Sequence, residues 1–153
     1  MVKKIFIGGP FKQFIDPKKN RMNEEKKHMF LQLINFFNDR GYEIHNAHIR
    51  EDWGQSFWAP DQCTKLDYDE IASSDVFLAF PGVPASPGTH IEIGWASALG
   101  KQVILLLEKG AYYAHLVKGL HTVGNVHYLE YEEPADYMIE LAKMFPAKDL
   151  ARV

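Results

Sequence analysis

The stretch Asp75-Val76-Phe77-Leu78-Ala79-Phe80, with Pro81-Gly82-Val83-Pro84-Ala85-Ser86-Pro87-Gly88 behind it and Thr89 to Leu99 beyond, decides the fold. Val76 to Phe80 is an unbroken apolar run of strand length. Uniform runs of this kind belong to parallel sheets covered on both faces, because a half-exposed strand alternates apolar with polar. The next eight residues are rich in proline and glycine and read as a loop, and Thr89 to Leu99 reads as a helix stopped by Gly100. Strand, loop and helix in that order make one half of a right-handed crossover.

Working outward, the same unit recurs. Lys3 to Ile7 is a short β-branched and aromatic run that ends at Gly8-Gly9-Pro10 and reads as the first strand. From Asn23 to Arg40, Met29, Phe30, Leu33, Ile34 and Phe37 recur at helical spacing, and Gly41 supplies the stop. Tyr42 to Asn46 reads as a strand, His48 to Pro60 as a loop, and Asp61 to Ser73 as a helix. Beyond Gly100 follow a strand at Gln102 to Leu107, a short helix at Ala111 to Lys118, a strand at Asn125 to Leu129 and a helix at Ala135 to Phe145. Alternation of this kind predicts an α/β fold: a flavodoxin-like (Rossmann-like) doubly wound, five-stranded parallel sheet with helices on both faces, as one domain over residues 1–153. A barrel of the same elements needs about 250 residues. In that strand order the switch point lies between the first and third strands. Gly8-Gly9-Pro10-Phe11 and Pro81 to Gly88 are therefore expected to face each other across one crevice.

Composition narrows the function. The chain has 153 residues, 46% hydrophobic and 24% charged, with a net charge of -3, so it can build a core but offers no overall attraction to a polyanion or an anionic membrane. Polymeric nucleic acid and membrane are not expected partners. No apolar stretch approaches the about 18 residues of a membrane span, and the single cysteine, Cys63, cannot form an internal disulfide, so a cytoplasmic location is expected. No cofactor is expected. His45-x-x-His48 has metal-like spacing, yet at a strand end it sends the two rings to opposite faces, so no metal site is expected either.

The chemistry-bearing residues cluster around the expected crevice. Glu92 sits one turn inside a helix that opens on it. Thr89-x-x-Glu92 is also a capping box, in which Glu92 accepts the Thr89 amide and does nothing else. Gly94, which costs a helix about 1 kcal/mol against alanine, argues for a close approach to the backbone there. Asp67 and Asp69 read either as a solvated acidic face or as a carboxylate reaching over the strand ends to a polar ligand, with Asp75 a turn residue. Trp53, Phe57 and Trp58 read as a lid that stacks on a planar base or as a patch covered by a second subunit. Arg50 and Lys12 flank the crevice and could meet an anion, while Lys12 to Lys27 reads otherwise as surface.

These residues, taken together, resemble a known family. Ile5-Phe6-Ile7-Gly8-Gly9, Asp67-x-x-x-Ile71-x-x-x-Asp75-Val76 and Gly88-Thr89-His90-Ile91-Glu92-Ile93-Gly94-Trp95-Ala96-Ser97-Ala98-Leu99-Gly100-Lys101 are similar to the nucleoside 2-deoxyribosyltransferase superfamily. The segment Ala47-His48-x-Arg50-Glu51-x-Trp53-Gly54 resembles its nucleoside 5'-monophosphate N-glycosidase branch, which includes cytidylate hydrolases. The resemblance implies that Glu92 is a nucleophile attacking the anomeric carbon and that Asp67 binds the base or sugar near the leaving nitrogen. It also implies a small-molecule nucleoside or nucleotide substrate held by Gly8, Gly9, Phe11, Arg50, Trp53, Ser86 and Gly88, and a homodimer or larger homo-oligomer. Ser86 stands where monophosphate hydrolases of the family carry a phosphate-binding serine. The family's serine and arginine beside the first glycine turn have no counterpart in Ile5 to Phe11, so the phosphate's counter-charge falls to Arg50, Lys12 or a neighbouring subunit. Water as the acceptor gives a hydrolase, a second base gives a deoxyribosyltransferase, and a pocket without turnover is a nucleotide-binding module.

Overall fold

The computed structural model describes residues 2–147. In chain order these form β1 (Lys4–Gly8), a hairpin of β2 (Ile15–Asp16) and β3 (Arg21–Met22), α1 (Glu24–Asp39), β4 (Glu43–His45), α2 (Ala47–Arg50), α3 (Pro60–Ser73), β5 (Val76–Ala79), α4 (Pro87–Ala98), β6 (Gln102–Glu108), α5 (His115–Lys118), β7 (Val126–Tyr131) and α6 (Pro134–Met144). The five longer strands make one sheet, ordered β4-β1-β5-β6-β7 and parallel throughout. With the hairpin set aside, that is the second, first, third, fourth and fifth strand in chain order, the doubly wound α/β arrangement expected. No helix among the described residues is long and apolar enough to cross a membrane.

Strand periodicity sorts the core into two layers. Ile5, Ile7, Val76, Leu78, Ile104 and Leu106 point to one face, where they meet Phe30, Leu33 and Phe37 of α1 and Tyr137 and Leu141 of α6. Phe6, Phe77, Ala79, Val103 and Leu105 point to the other, against Ile71 of α3, Ile93 and Ala96 of α4 and Val117 of α5. Because both faces are covered, the strands have no polar side to show, which is why the sequence ran apolar without alternation. Each such side chain contributes about 1.5–3 kcal/mol on burial.

Three readings of the sequence need correction. The segment from His48 to Pro60 is not all loop, since α2 and a 3-10 turn at Asp52–Gly54 lie within or across it, with the Asn46 side chain accepting the Ile49 amide to start α2. Lys12 to Lys27 is not plain surface, since a 3-10 turn at Lys12–Phe14 and the hairpin pack Met22 into the core. Helix α4 begins before Thr89: Ser86 is its cap, and Pro87, whose fixed φ suits a first helical position, leads the first turn.

Candidate active site

The strand order reverses between β1 and β5, and a cavity of about 550 Å³ opens there at the carboxyl ends of the strands. Its floor is Gly8 and Gly9 at the end of β1. One wall is the first turns of α4 and the other is α2, α3 and the aromatic segment between them. A Cβ on Gly8 would lie 3.6 Å from Oε1 of Glu92, so the carboxylate rests against the strand end. Gly9 is required for a different reason: a Cβ there would come within 2.7 Å of the Phe30 ring.

The capping-box reading of Glu92 fails. The Thr89 amide and hydroxyl both go to Ser86 Oγ, at 3.3 and 2.9 Å, and among the described residues the Glu92 carboxylate has no hydrogen-bond partner in the protein. Burial holds its carboxyl well above the usual range, the charges of Asp67 and Glu70 add to the rise, and Arg50 opposes it. The close backbone approach expected at Gly94 is absent too, since a Cβ there would meet nothing within 4 Å.

Asp67 also lines the cavity, and its Oδ1 accepts a 2.7 Å hydrogen bond from Arg50. Burial raises its pKa more than the guanidinium lowers it, and the charge of Glu51 adds to the rise. Asp69, two residues on, is exposed and pairs with Lys65 one turn back. Arg50 does not line the cavity. It stands behind Asp67, 3.3 Å from Glu70 and 3.7 Å from Glu51, and is not free to meet an anion. Trp53 is not at the mouth either: it packs on the core beneath the Lys27 ammonium. Phe11, Phe57 and Trp58 do line the cavity, with Phe11 stacked on His48 at 4.5 Å and tilted against Phe57 at 5.1 Å.

His48 is a fixture of this wall. Its Nε2 donates to the Pro10 carbonyl at 3.0 Å and its Nδ1 accepts from Asn46, while Phe30 and Phe11 cover its two faces. Burial drives its pKa down to about 4, so the ring is neutral. His45 is turned elsewhere, toward Glu43 and Glu70.

The sequence matches no protein-family model and no curated protein. Among solved structures the chain is similar to the Clostridium botulinum CMP N-glycosidase BcmB, with 46% identity over 92% of this chain and 99% of that one, and a TM-score of 0.72. It is equally similar to BlsM, at 46% identity over 94% of this chain and 86% of that one, with a TM-score of 0.76. The chain belongs to the nucleoside 5'-monophosphate N-glycosidase family. A conserved protein from Enterococcus faecalis V583, 18% identical over 95% of this chain and 89% of its own, shares the fold at a TM-score of 0.53.

In this N-glycosidase family member the opening of α4 is suited to an anion. Ser86 and Thr89 are buried, and between their two hydroxyls and one shared contact a single hydroxyl proton is left over. The Gly88 amide, in the first turn, has no intrahelical carbonyl to bond and lines the same cavity. Lys12 is the one lysine or arginine among the described lining residues, its ammonium 5.6 Å from the Phe57 ring. Sequence reasoning missed Glu51, Cys63, Thr64 and Gln13, which also line the cavity. The i, i+4 spacing of Cys63 and Asp67 on α3 was the available signal for the first of the helical pair.

Proposed function

We propose that this protein is an N-glycosidase that hydrolyses the bond between base and ribose in a nucleoside 5'-monophosphate, with cytidine 5'-monophosphate, the nucleotide named for BcmB, the first substrate to test. The observation that carries the reading is Glu92. Its partnerless carboxylate rests against the end of β1 in a cavity that also holds Asp67 and the α4 N-terminus.

The steps follow from the geometry. The 5'-phosphate docks on the Gly88 amide and the leftover hydroxyl proton of the Ser86 and Thr89 pair, with Lys12 as counter-charge. That places the anomeric carbon toward Glu92. One carboxylate oxygen bonds to that carbon as the carbon–nitrogen bond breaks, its electron pair leaving with the base, which takes up a proton. Asp67, held by Arg50, orients the base near the breaking bond. Water then attacks the same carbon, giving up a proton that balances the one taken by the base, and the Glu92 carboxylate departs to give ribose 5-phosphate. A buried, raised carboxyl is costly to ionise in the empty cavity, and the positive charge that develops on the sugar offsets that cost where it matters, in the transition state.

Self-association belongs to the same reading. Phe57 and Trp58 are 45% and 39% exposed at the cavity mouth, and Tyr112, Leu116 and Val123 are 79–87% exposed on the segment that follows β6. Apolar groups left this open support a homodimer in which a second copy covers them.

The decisive experiment is Glu92→Gln on cytidine 5'-monophosphate, with free cytosine scored by chromatography. A neutral amide cannot form the ester, so the rate is expected to fall by about a thousandfold, about 4 kcal/mol of barrier. Retention of more than about a tenth of the wild-type rate sinks the nucleophile.

A further inference from the structure

Glu51 follows α2 and is 5% exposed, a buried carboxylate for which the mechanism above has no use. It lines the same cavity as Glu92 and Asp67. Its Oε1 accepts the Trp58 amide at 2.8 Å. Its Oε2 lies 3.7 Å from Arg50, beyond hydrogen-bond range, while the guanidinium bonds Asp67 and Glu70. A carboxylate offers about four lone-pair sites, so a buried one in a cavity wall with a single close donor is an acceptor waiting for a ligand's N–H.

The three carboxylates also divide the cavity between them. Asp67 and Glu51 lie against the same Arg50 nitrogen, at 2.7 and 3.7 Å, while Glu92 stands on the α4 wall against the end of β1. A sugar at Glu92 and a glycosidic nitrogen near Asp67 therefore carry the far edge of the base to Glu51. In cytosine that far edge, across the ring from the glycosidic nitrogen, is the exocyclic amino group. In uracil the same position is a carbonyl oxygen, which would meet the carboxylate acceptor to acceptor. Trp58, whose amide is tied to Glu51 and whose ring lies on Arg50, supplies a flat wall beside it.

We propose that Glu51 reads the base, accepting a hydrogen bond from the exocyclic amino group of an aminopyrimidine and rejecting the keto base in its place. This rests on the N-glycosidase reading. Carboxylate acceptance from a cytosine amino group is a recognised pairing, and discrimination of this kind amounts to about ten- to hundredfold against the wrong base.

The test measures kcat/KM for cytidine and uridine 5'-monophosphates with wild-type protein and with Glu51→Gln. The amide keeps the acceptor for the Trp58 N–H, and a ratio taken within one preparation does not depend on the fraction folded. Wild type is expected to favour the cytidine nucleotide by about tenfold or more, and the variant, whose amide can donate as well as accept, to bring the ratio to within about threefold of unity. If wild type is active and the variant keeps a ratio within threefold of its own, Glu51 does not read the base and the glycosidase reading stands. If wild type releases no base from any of the nucleotides, adenosine 5'-monophosphate included, the glycosidase reading falls and this proposal with it. Adenosine 5'-monophosphate is the third arm: adenine release within tenfold of cytosine release overturns the assignment to a pyrimidine.

Discussion

Glu92 and His48 pull the stability of the protein in opposite directions with pH. The folded state keeps the Glu92 proton that the unfolded chain releases, so stability falls as pH rises from the ordinary carboxylate range through the raised value. His48 does the reverse. Its folded-state pKa is about 4 against an ordinary 6.5, so the stability it confers is present above 6.5 and is lost as pH drops toward 4, about 3 kcal/mol in all. Glu92→Gln should therefore melt higher than wild type at pH 8 and close to it at pH 5, while losing activity. Each kcal/mol is worth about 2–4 °C in a chain of this size. Calorimetry that finds the two proteins parallel at both pH values would show that the Glu92 carboxyl carries no burial penalty. Wild-type base release should also rise with pH well above the ordinary carboxylate range. Gly8, Gly9, Ser86 and Gly88 were legible as lining residues because they sit at the end of a strand or the start of a helix that the hydrophobic pattern locates, whereas Glu92 and Asp67 lie inside α4 and α3 and needed the family resemblance. Arg50 was not, because the two carboxylates it bonds lie 17 and 20 residues along the chain, where no local pattern reveals them.

Among the elements, α4 bears the most consequence. Its cap, Ser86, is also the residue set against the phosphate, so Ser86→Ala tests two things at once. Loss of the cap should cost about 0.5–2 kcal/mol of stability, read by urea titration. If the hydroxyls serve the phosphate, the preference for cytidine 5'-monophosphate over cytidine should be about tenfold or more in wild type and should shrink in the variant. Equal turnover of nucleoside and nucleotide would remove the phosphate from the reading. Gly9→Ala probes the packing beneath the cavity floor: the new methyl would collide with Phe30, and overpacking of this kind costs about 1–3 kcal/mol, read by urea titration. The longer strands and helices were legible because uniform apolar runs and helical spacing need length to show. The two-residue strands of the hairpin and the four residues of α2 are too short for any period. The start of α4 was misplaced because two hydroxyl residues three apart compete for the cap, and Pro87 gives it to the first.

At the scale of the molecule, the exposed aromatic mouth and the open apolar segment after β6 predict association. Sedimentation at micromolar concentration should give about twice the 17.6 kDa chain mass, and a monomer throughout would leave those surfaces without a partner. The doubly wound sheet has one further effect. Gly8 and Gly9 after β1 and Ser86 to Thr89 after β5 all line the cavity, so a nucleotide lodged there touches both crossovers that meet at the switch point. A ligand that fits only the assembled walls binds the native state alone, and by mass action it shifts the unfolding equilibrium by about 2.7 kcal/mol at a hundred times its Kd. The Glu92→Gln protein, unable to consume what it holds, thus becomes its own assay: the nucleotide that most delays its unfolding is the one the cavity was shaped around.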